Sequence, residues 1–329
     1  MESDGLGCVI VLNQLLQRYL SESEQAIEAS VAYLASSDAL RAIAREPYWP
    51  KWDSPWWHMV LLHELGLNKR IPVVAAQSMA VALRTHYLPT FPFCEADVPE
   101  GIDPHRQTLC HCALGGMVQV LAGTGIVVDE AVPYWREWFL RYQLPDGGLN
   151  CDNEAYLRPI PRSSMVSTLP ALEAVLTLTA RPFTSQETAF LDAGAEYLLA
   201  RCLCRSLSKG GYIDAAWLTP SFPRFYEYDV LRGLRFLGLW AQRLARPIPA
   251  VAIQEAYCAM EDFFADDTAM PRVWVTHNRT LPATGHGPPE PASDFELLSV
   301  TAGSVLAREV LLQEWRTTRA FLDKAVAPR

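Results

Sequence analysis

The sequence predicts an all-α protein, an α/α toroid in which inner and outer helices alternate around a central cavity, and three observations carry that expectation. Apolar residues recur at three- and four-residue spacing through most of the chain, as at Leu231, Leu234 and Leu237, which is the period of a packed helix. Convincing strand alternation is missing. The third observation is recurrence: Asp53-Ser54-Pro55, His111-Cys112, Ser163-Ser164, Tyr228-Asp229 and Ser293-Asp294 each stand at a helix entrance, at intervals of about 50 to 65 residues.

Taken in order, the periodicity predicts helices over 25–45, 55–66, 73–86, 108–122, 130–142, 168–179, 185–203, 228–243, 251–264 and 307–325. Asp, Ser and Pro suit an N-cap and first turn, because they accept from or dispense with the free amide groups there. Between two entrances lies a more amphipathic helix, such as 130–142, so inner and outer helices follow one another. About ten to twelve helices are expected from this pattern. Asp146-Gly147-Gly148 marks a sharp reversal, since glycine alone adopts positive φ without strain. That turn leads from an outer helix towards Cys151-Asp152 and the Ser163-Ser164 entrance. No Gly/Ser linker divides the chain, so residues 1–329 are read as a single domain.

Hydrophobic residues make up 50% of the chain and charged ones 20%, enough for a large core and too apolar for disorder. A net charge of -9 and an isoelectric point near 5.3 give no electrostatic footprint for nucleic acid or an anionic membrane. The apolar stretch 117–128 is too short for a membrane span, and 1–11 lacks the basic start of a signal peptide. A cytoplasmic location is therefore expected, with the eight cysteines mostly reduced.

Three segments carry a resemblance: Tyr142-Gln143-Leu144-Pro145-Asp146-Gly147-Gly148-Leu149-Asn150-Cys151, Glu196-Tyr197-Leu198-Leu199, and the run from Phe222 to Leu234 that contains Pro223-Arg224-Phe225-Tyr226-Glu227-Tyr228-Asp229. Together they resemble the terpenoid cyclase/protein prenyltransferase superfamily, and most closely its bacterial squalene-cyclase-like branch. The motifs span roughly residues 45–245, and the helix rhythm extends the likeness over the chain. The resemblance implies an α/α toroid. It also implies two chemistries that this chain matches incompletely. Triterpene cyclases protonate their substrate from an Asp-x-Asp-Asp motif, which is missing, as is an Asp-Asp-x-x-Asp magnesium motif. Protein prenyltransferases hold zinc through Asp, Cys and His, and relatives in the bacterial branch carry a histidine at the Ser-Ser entrance, where this chain has Met165-Val166.

In a toroid the inner-helix N-termini gather at one end of the cavity, which directs Asp53, His58, His111, Cys112, Ser164, Tyr228 and Asp229 to a shared space. Asp229, between Tyr228 and an apolar run, is a candidate acid kept protonated by desolvation, and Asp53 is a similar one. His58, His111 and Tyr228 are candidate positioning groups. Trp49, Trp52, Trp56, Trp57, Tyr226 and Tyr228 are candidate walls of an apolar substrate pocket, and Ser164 and Arg232 are further substrate-binding candidates. Arg224 and Arg235 would join Arg232 against a diphosphate.

Cys112, Cys151 and Asp152 are candidate metal ligands, with zinc as the candidate cofactor. From a regular helix Cys110 and Cys112 cannot both face one ion, since two residues turn the direction by about 200°. His58 and His63 diverge by about 140° on the same reasoning. The stretch 276–291, with His277 and His286, reads as a long irregular loop at the toroid mouth. The leading expectation is an enzyme that binds an apolar small molecule and performs an acid-assisted cyclisation or rearrangement. The alternatives are a zinc-dependent transferase or hydrolase using Cys, His and Asp, and a non-catalytic binding or scaffold protein.

Overall fold

The structure, a computed structural model, describes residues 14–273, 275, 279–282 and 288–326, and their regular structure is almost entirely helical. Helices α1 (Gln14–Glu22), α2 (Glu24–Ala35) and α3 (Ser37–Arg45) lead into α4 (Pro55–Glu64) and α5 (Val73–Thr85). The short α6 (Pro104–Gln107) precedes α7 (His111–Gly123), α8 (Val128–Ala131) and α9 (Trp135–Tyr142). After α10 (Glu154–Leu157) come α11 (Met165–Leu178), α12 (Ser185–Ala200), α13 (Val230–Leu244), α14 (Ala250–Ala265), α15 (Glu296–Thr301) and α16 (Val305–Ala325). Among the described residues the named strands are β1 (Arg279–Thr280) and β2 (Glu290–Pro291), paired antiparallel. No helix among the described residues is long and apolar enough to cross a membrane.

Two kinds of helix divide the work. Every residue of α4 from Pro55 to Leu62 is buried, and α7 and α11 are buried nearly all round, as helices inside a protein must be. By contrast α3, α9 and α14 bury a single stripe, for example Trp135, Trp138, Phe139 and Tyr142 of α9, and turn Glu137 and Arg141 outward. Packing neighbours follow chain order: α4 lies against α7, α7 against α11, α11 against α13 and α13 against α16. Helix α16 in turn contacts α1 and α15, and both of these contact α2, which packs on α4.

The closest of these contacts, α7 on α11, depends on a missing side chain. A Cβ on Gly115 would stand 2.6 Å from the Pro170 carbonyl, a separation no side chain tolerates. Gln119 Nε2 ties the two backbones by donating to the Gly115 carbonyl at 3.0 Å and the Pro170 carbonyl at 3.2 Å. The N-terminus of α7 is thereby fixed beside that of α11.

Several expected boundaries move for local reasons. The run 25–45 is two helices, because Ser36 breaks it with ψ of 154° and caps α3 by accepting from the Ala39 amide at 3.2 Å. The run 108–122 begins only at His111, since Cys110 is extended, with ψ of 159°. The run 130–142 is split into α8 and α9 around Pro133. Helices α1 and α15 had no counterpart in the periodicity reading. His277 and His286 lie outside the described residues.

At the Asp146-Gly147-Gly148 turn, Gly147 has φ of +92° and its missing Cβ leaves room for the Ala193 carbonyl oxygen, which would otherwise be 2.2 Å away. Asp146 accepts from the Ser163 hydroxyl and amide and from Arg201, so the turn is tied to both sides. Beyond it Leu149 bridges Ser164, with the Ser164 amide donating to the Leu149 carbonyl at 2.8 Å. Cys151 follows two residues later.

Candidate metal centre

Three cysteines meet where the starts of α7 and α11 come together. Cys110 Sγ lies 3.2 Å from Cys112 Sγ, and Cys151 Sγ lies 3.6 Å from Cys112 Sγ. The three sulfurs all stand within 4.8 Å of one another. Thiolates bound at about 2.3 Å in a tetrahedral arrangement stand about 3.8 Å apart, so the spacing suits one zinc-sized ion.

Each sulfur arrives by a different local route. Cys110 is the N-cap of α7, outside the helical turn, and its extended backbone swings its side chain round to that of Cys112. The divergence of about 200° expected for this pair applies only inside a helix, and Cys110 stands outside one. Cys151 is held by its amide, which donates to Ser167 Oγ at 3.0 Å in the first turn of α11. Hydrogen bonds from the Cys112 and Cys151 thiols pull the Cys110 thiol well below its ordinary pKa, while the bond to Cys110 pushes Cys112 up and burial pushes Cys151 up. The cluster thus favours ionisation of Cys110, and a bound cation would favour ionisation of the other two.

Just before α4 a half-buried lysine, Lys51, sits among aromatic rings. Lys51 Nζ donates to Tyr226 Oη at 2.8 Å and stands 4.9 to 5.8 Å from the ring centroids of Tyr226, Trp49, Trp52 and Tyr48. Burial lowers the pKa of this ammonium, and the charges of Cys110 and Cys112 act in the opposite direction. Its main chain is fixed too, with the Lys51 amide donating to Thr280 Oγ1 at 2.6 Å.

The other sequence candidates lie in different settings. Asp152 is exposed; its carboxylate accepts the Glu154 amide at 3.1 Å and lies 3.6 Å from Arg158, away from the sulfurs' mutual contact. His111 is fully buried and both ring nitrogens are engaged. Nδ1 accepts from Trp138 Nε1 at 2.8 Å, which places the proton on Nε2, and Nε2 then donates to Tyr156 Oη at 2.9 Å. Tyr156 Oη in turn donates a hydrogen bond to the Tyr142 carbonyl at 3.0 Å. Burial pushes the His111 pKa down to about 4, so the ring is neutral and no lone pair is left for a metal.

His58 is likewise a core histidine. It pairs with Ser30 Oγ at 3.1 Å, stacks on Phe295 at 3.8 Å, and is pushed down to about 3 by burial. His63 donates to Asn68 Oδ1 at 2.6 Å, separate from His58. Trp56 and Trp57 are buried, and Trp57 donates to the Tyr48 carbonyl at 2.9 Å. Ser164 caps α11 by accepting the Ser167 amide at 3.4 Å. Asp53 is exposed and accepts from Ser293 at 3.4 Å.

The entrance to α13 departs most from expectation. Asp229 is fully buried, but it accepts from Arg224 Nε at 2.8 Å, from the Ser221 amide at 3.0 Å and hydroxyl at 3.2 Å, and from the Arg232 amide at 2.9 Å. Burial alone would raise its pKa, but the Arg224 guanidinium and these donors hold it below the ordinary carboxylate value. It is an anion at neutral pH, not a proton donor. Arg232 binds both oxygens of Glu173, Arg235 lies 3.7 Å from the same carboxylate, and Arg224 also grips Glu314. These arginines are matched by carboxylates and are not open to a diphosphate. Tyr228 donates to the Leu203 carbonyl at 2.7 Å and packs on Gly233, so its hydroxyl is committed to the core.

A groove of about 530 Å³ lies between α5 and the α7–α8 turn, lined by Val73, Ala76, Arg84, Ile126, Val127 and Glu130 among others. None of its lining residues belongs to the cysteine cluster, and it contributes nothing to the chemistry at that cluster.

Comparison of the chain with protein-family models, with curated proteins and with solved structures returns no match.

Proposed function

We propose that this chain is a metal-dependent group-transfer enzyme whose ion is held by Cys110, Cys112 and Cys151. The observation that carries the reading is the convergence of three sulfurs, from segments 39 residues apart in sequence, to within 4.8 Å. Three protein ligands and an open fourth position are the usual arrangement of a catalytic zinc, whereas structural zinc is closed by four. Three thiolates place three negative charges on a divalent ion and weaken its power to acidify a bound water. A substrate thiol starts from a pKa of about 8.5 and is deprotonated there far more easily than water. Transfer to a bound thiol is therefore favoured over hydrolysis.

The ring of packing neighbours from α4 through α7, α11, α13 and α16, and back by way of α1, α15 and α2, supports an α/α toroid as the scaffold. In that arrangement the cluster sits where the inner helices α7 and α11 begin. The likeness of segments 142–151 and 222–234 to the terpenoid cyclase/prenyltransferase superfamily agrees with this scaffold, though the ligand set of three cysteines differs from Asp, Cys and His. Acid-assisted cyclisation is the weaker reading, because Asp229 is ionised and paired.

The test is metal content. Protein purified under reducing conditions is expected to carry one zinc per chain and, with cobalt in its place, to give a thiolate-to-cobalt charge-transfer band. Cys151→Ser and Cys112→Ser should each lose both, while the metal-free chains stay folded. Equal zinc content in wild type and both variants would remove the proposal.

A further inference from the structure

The three sulfurs are also placed to react with one another. Cys112 Sγ is common to both close contacts, 3.2 Å from Cys110 Sγ and 3.6 Å from Cys151 Sγ. A disulfide bond is about 2.05 Å long, so each pair has about 1 to 1.5 Å to close, a gap of the size that side-chain rotation covers.

The remaining described cysteines make the comparison. Cys202 and Cys204 are also two residues apart, yet the Cys204 thiol goes to the Cys202 carbonyl and to Glu255, and the Cys94 thiol goes to Asp97. Among the described residues, sulfur meets sulfur only in the cluster. Cys110 and Cys151 are half-buried and Cys112 is buried, so a small oxidant meets the outer pair and Cys112 stands behind them as the resolving thiol. Of the two bonds that Cys112 can make, the one to Cys110 closes a small ring across a single residue. The one to Cys151 joins separate segments of chain and is free of that constraint.

We infer that the cluster is a reversible oxidation site, in which a peroxide joins Cys112 to Cys151 and so releases the ion. The pairing rests on the sulfur contacts alone, and the release of the ion rests on the metal reading above. With hydrogen peroxide the step balances as follows. The Cys151 sulfur attacks one peroxide oxygen, the O–O bond breaks, and the far oxygen leaves as water with the thiol proton, which makes a sulfenic acid. The Cys112 sulfur then displaces that hydroxyl, which leaves with the Cys112 proton as a second water. Two thiols have lost two electrons and the peroxide has gained them. Disulfide sulfurs are neutral and are no longer thiolate ligands, so Cys110 alone would remain to hold the ion. A dithiol reductant reverses the change.

The full chain, reduced and treated with equimolar hydrogen peroxide, tests this by peptide mapping. Trypsin leaves Cys110 and Cys112 in peptide 107–136 and Cys151 in peptide 142–162. Wild type is expected to give the two peptides joined, and dithiothreitol should separate them. Cys110→Ser should join them to the same extent, whereas Cys112→Ser should do so at least about tenfold less, because the contact supplies the high local concentration of the second thiol. Zinc-loaded wild type should release its ion to a chromophoric chelator in step with the cross-link. Peptides left unjoined in wild type, or joined equally in Cys112→Ser, overturn the inference and leave the metal site standing. A cross-linked chain that keeps its zinc overturns the switch as well. A wild type that cross-links but binds no zinc when reduced supports the disulfide and overturns the metal reading. Should Cys112→Ser fail to fold, wild type oxidised in urea replaces it: pairing that is unchanged by unfolding overturns the inference, and pairing spread over the other cysteines supports it.

Discussion

Two buried polar clusters lie at two helix entrances of this molecule, and they are finished to different degrees. At the start of α13, Asp229, Arg224, Arg232, Glu173 and Glu314 form a chain of ion pairs in which each charge meets an opposite one at hydrogen-bond distance. At the start of α7, three thiols have chiefly one another. A saturated network fixes the position of backbone segments; it has no free valence to offer a ligand. An unsaturated one is where a further group can gain by binding. The entrances that resembled one another in sequence therefore separate into one whose charges are matched and one whose polar groups have room for a further partner.

The largest effect that breaks this division is Asp229→Asn. If the α13 network is structural, removing the charge of Asp229 takes from the buried Arg224 one of its two carboxylates, leaving Glu314, and costs about 3 kcal/mol of stability. Denaturant unfolding should show the loss, and zinc content of the fraction that remains folded should be unchanged. A variant of wild-type stability that had lost all activity would place Asp229 with the chemical cluster instead.

His111 lies between the clusters' two characters, since it is adjacent in sequence to both Cys110 and Cys112 yet is structural by its bonds. Replacing it with Phe leaves Trp138 Nε1 without an acceptor and removes the donor to Tyr156. The expected loss is about 2 kcal/mol, the usual result of burying an unsatisfied polar group. Zinc stoichiometry should survive. Loss of the ion with little loss of stability would make His111 a ligand and redraw the site.

These assignments mark how far the sequence could be read. Helices are legible wherever a face is repeatedly apolar, and the burial of α4, α7 and α11 follows directly from runs such as Trp56 to Leu62. Caps were legible as residue types, and Ser36-Ser37-Asp38 is itself such a signal; the break there is masked because apolar residues at helical spacing stand on both sides of it, Val31 and Leu34 before and Leu40 and Ile43 after. Cys151 and Cys112 were found from their places at entrances. Cys110 was set aside by assuming that α7 began before it, and one extended residue reversed the geometry. Asp229 was judged from its apolar followers in sequence, whereas its charge state is set by Arg224, five residues earlier, brought back by a loop in which Phe225 has φ of +55°.

The smallest effect concerns how that loop is held, and it tests whether the structural cluster is saturated throughout. Glu64, at the end of α4, accepts the successive amides of Arg224 and Phe225, which secures the left-handed Phe225 over the helix end. Burial nevertheless pushes its pKa up to about 7, because the amides and the Arg224 charge only partly offset desolvation. A carboxyl whose folded pKa lies above its unfolded one binds protons more tightly when folded. The stability it contributes is complete below about pH 4.5 and is lost as pH rises through about 7. Glu64→Gln cannot titrate, so the stability of wild type relative to this variant should fall by about 1 to 2 kcal/mol between pH 5 and 8, a partial value because the residue retains some exposure. Urea unfolding of both proteins across that range gives the difference. A flat difference would mean that Glu64 is ionised throughout and as fully matched as Asp229, extending the saturated cluster from α13 to the end of α4.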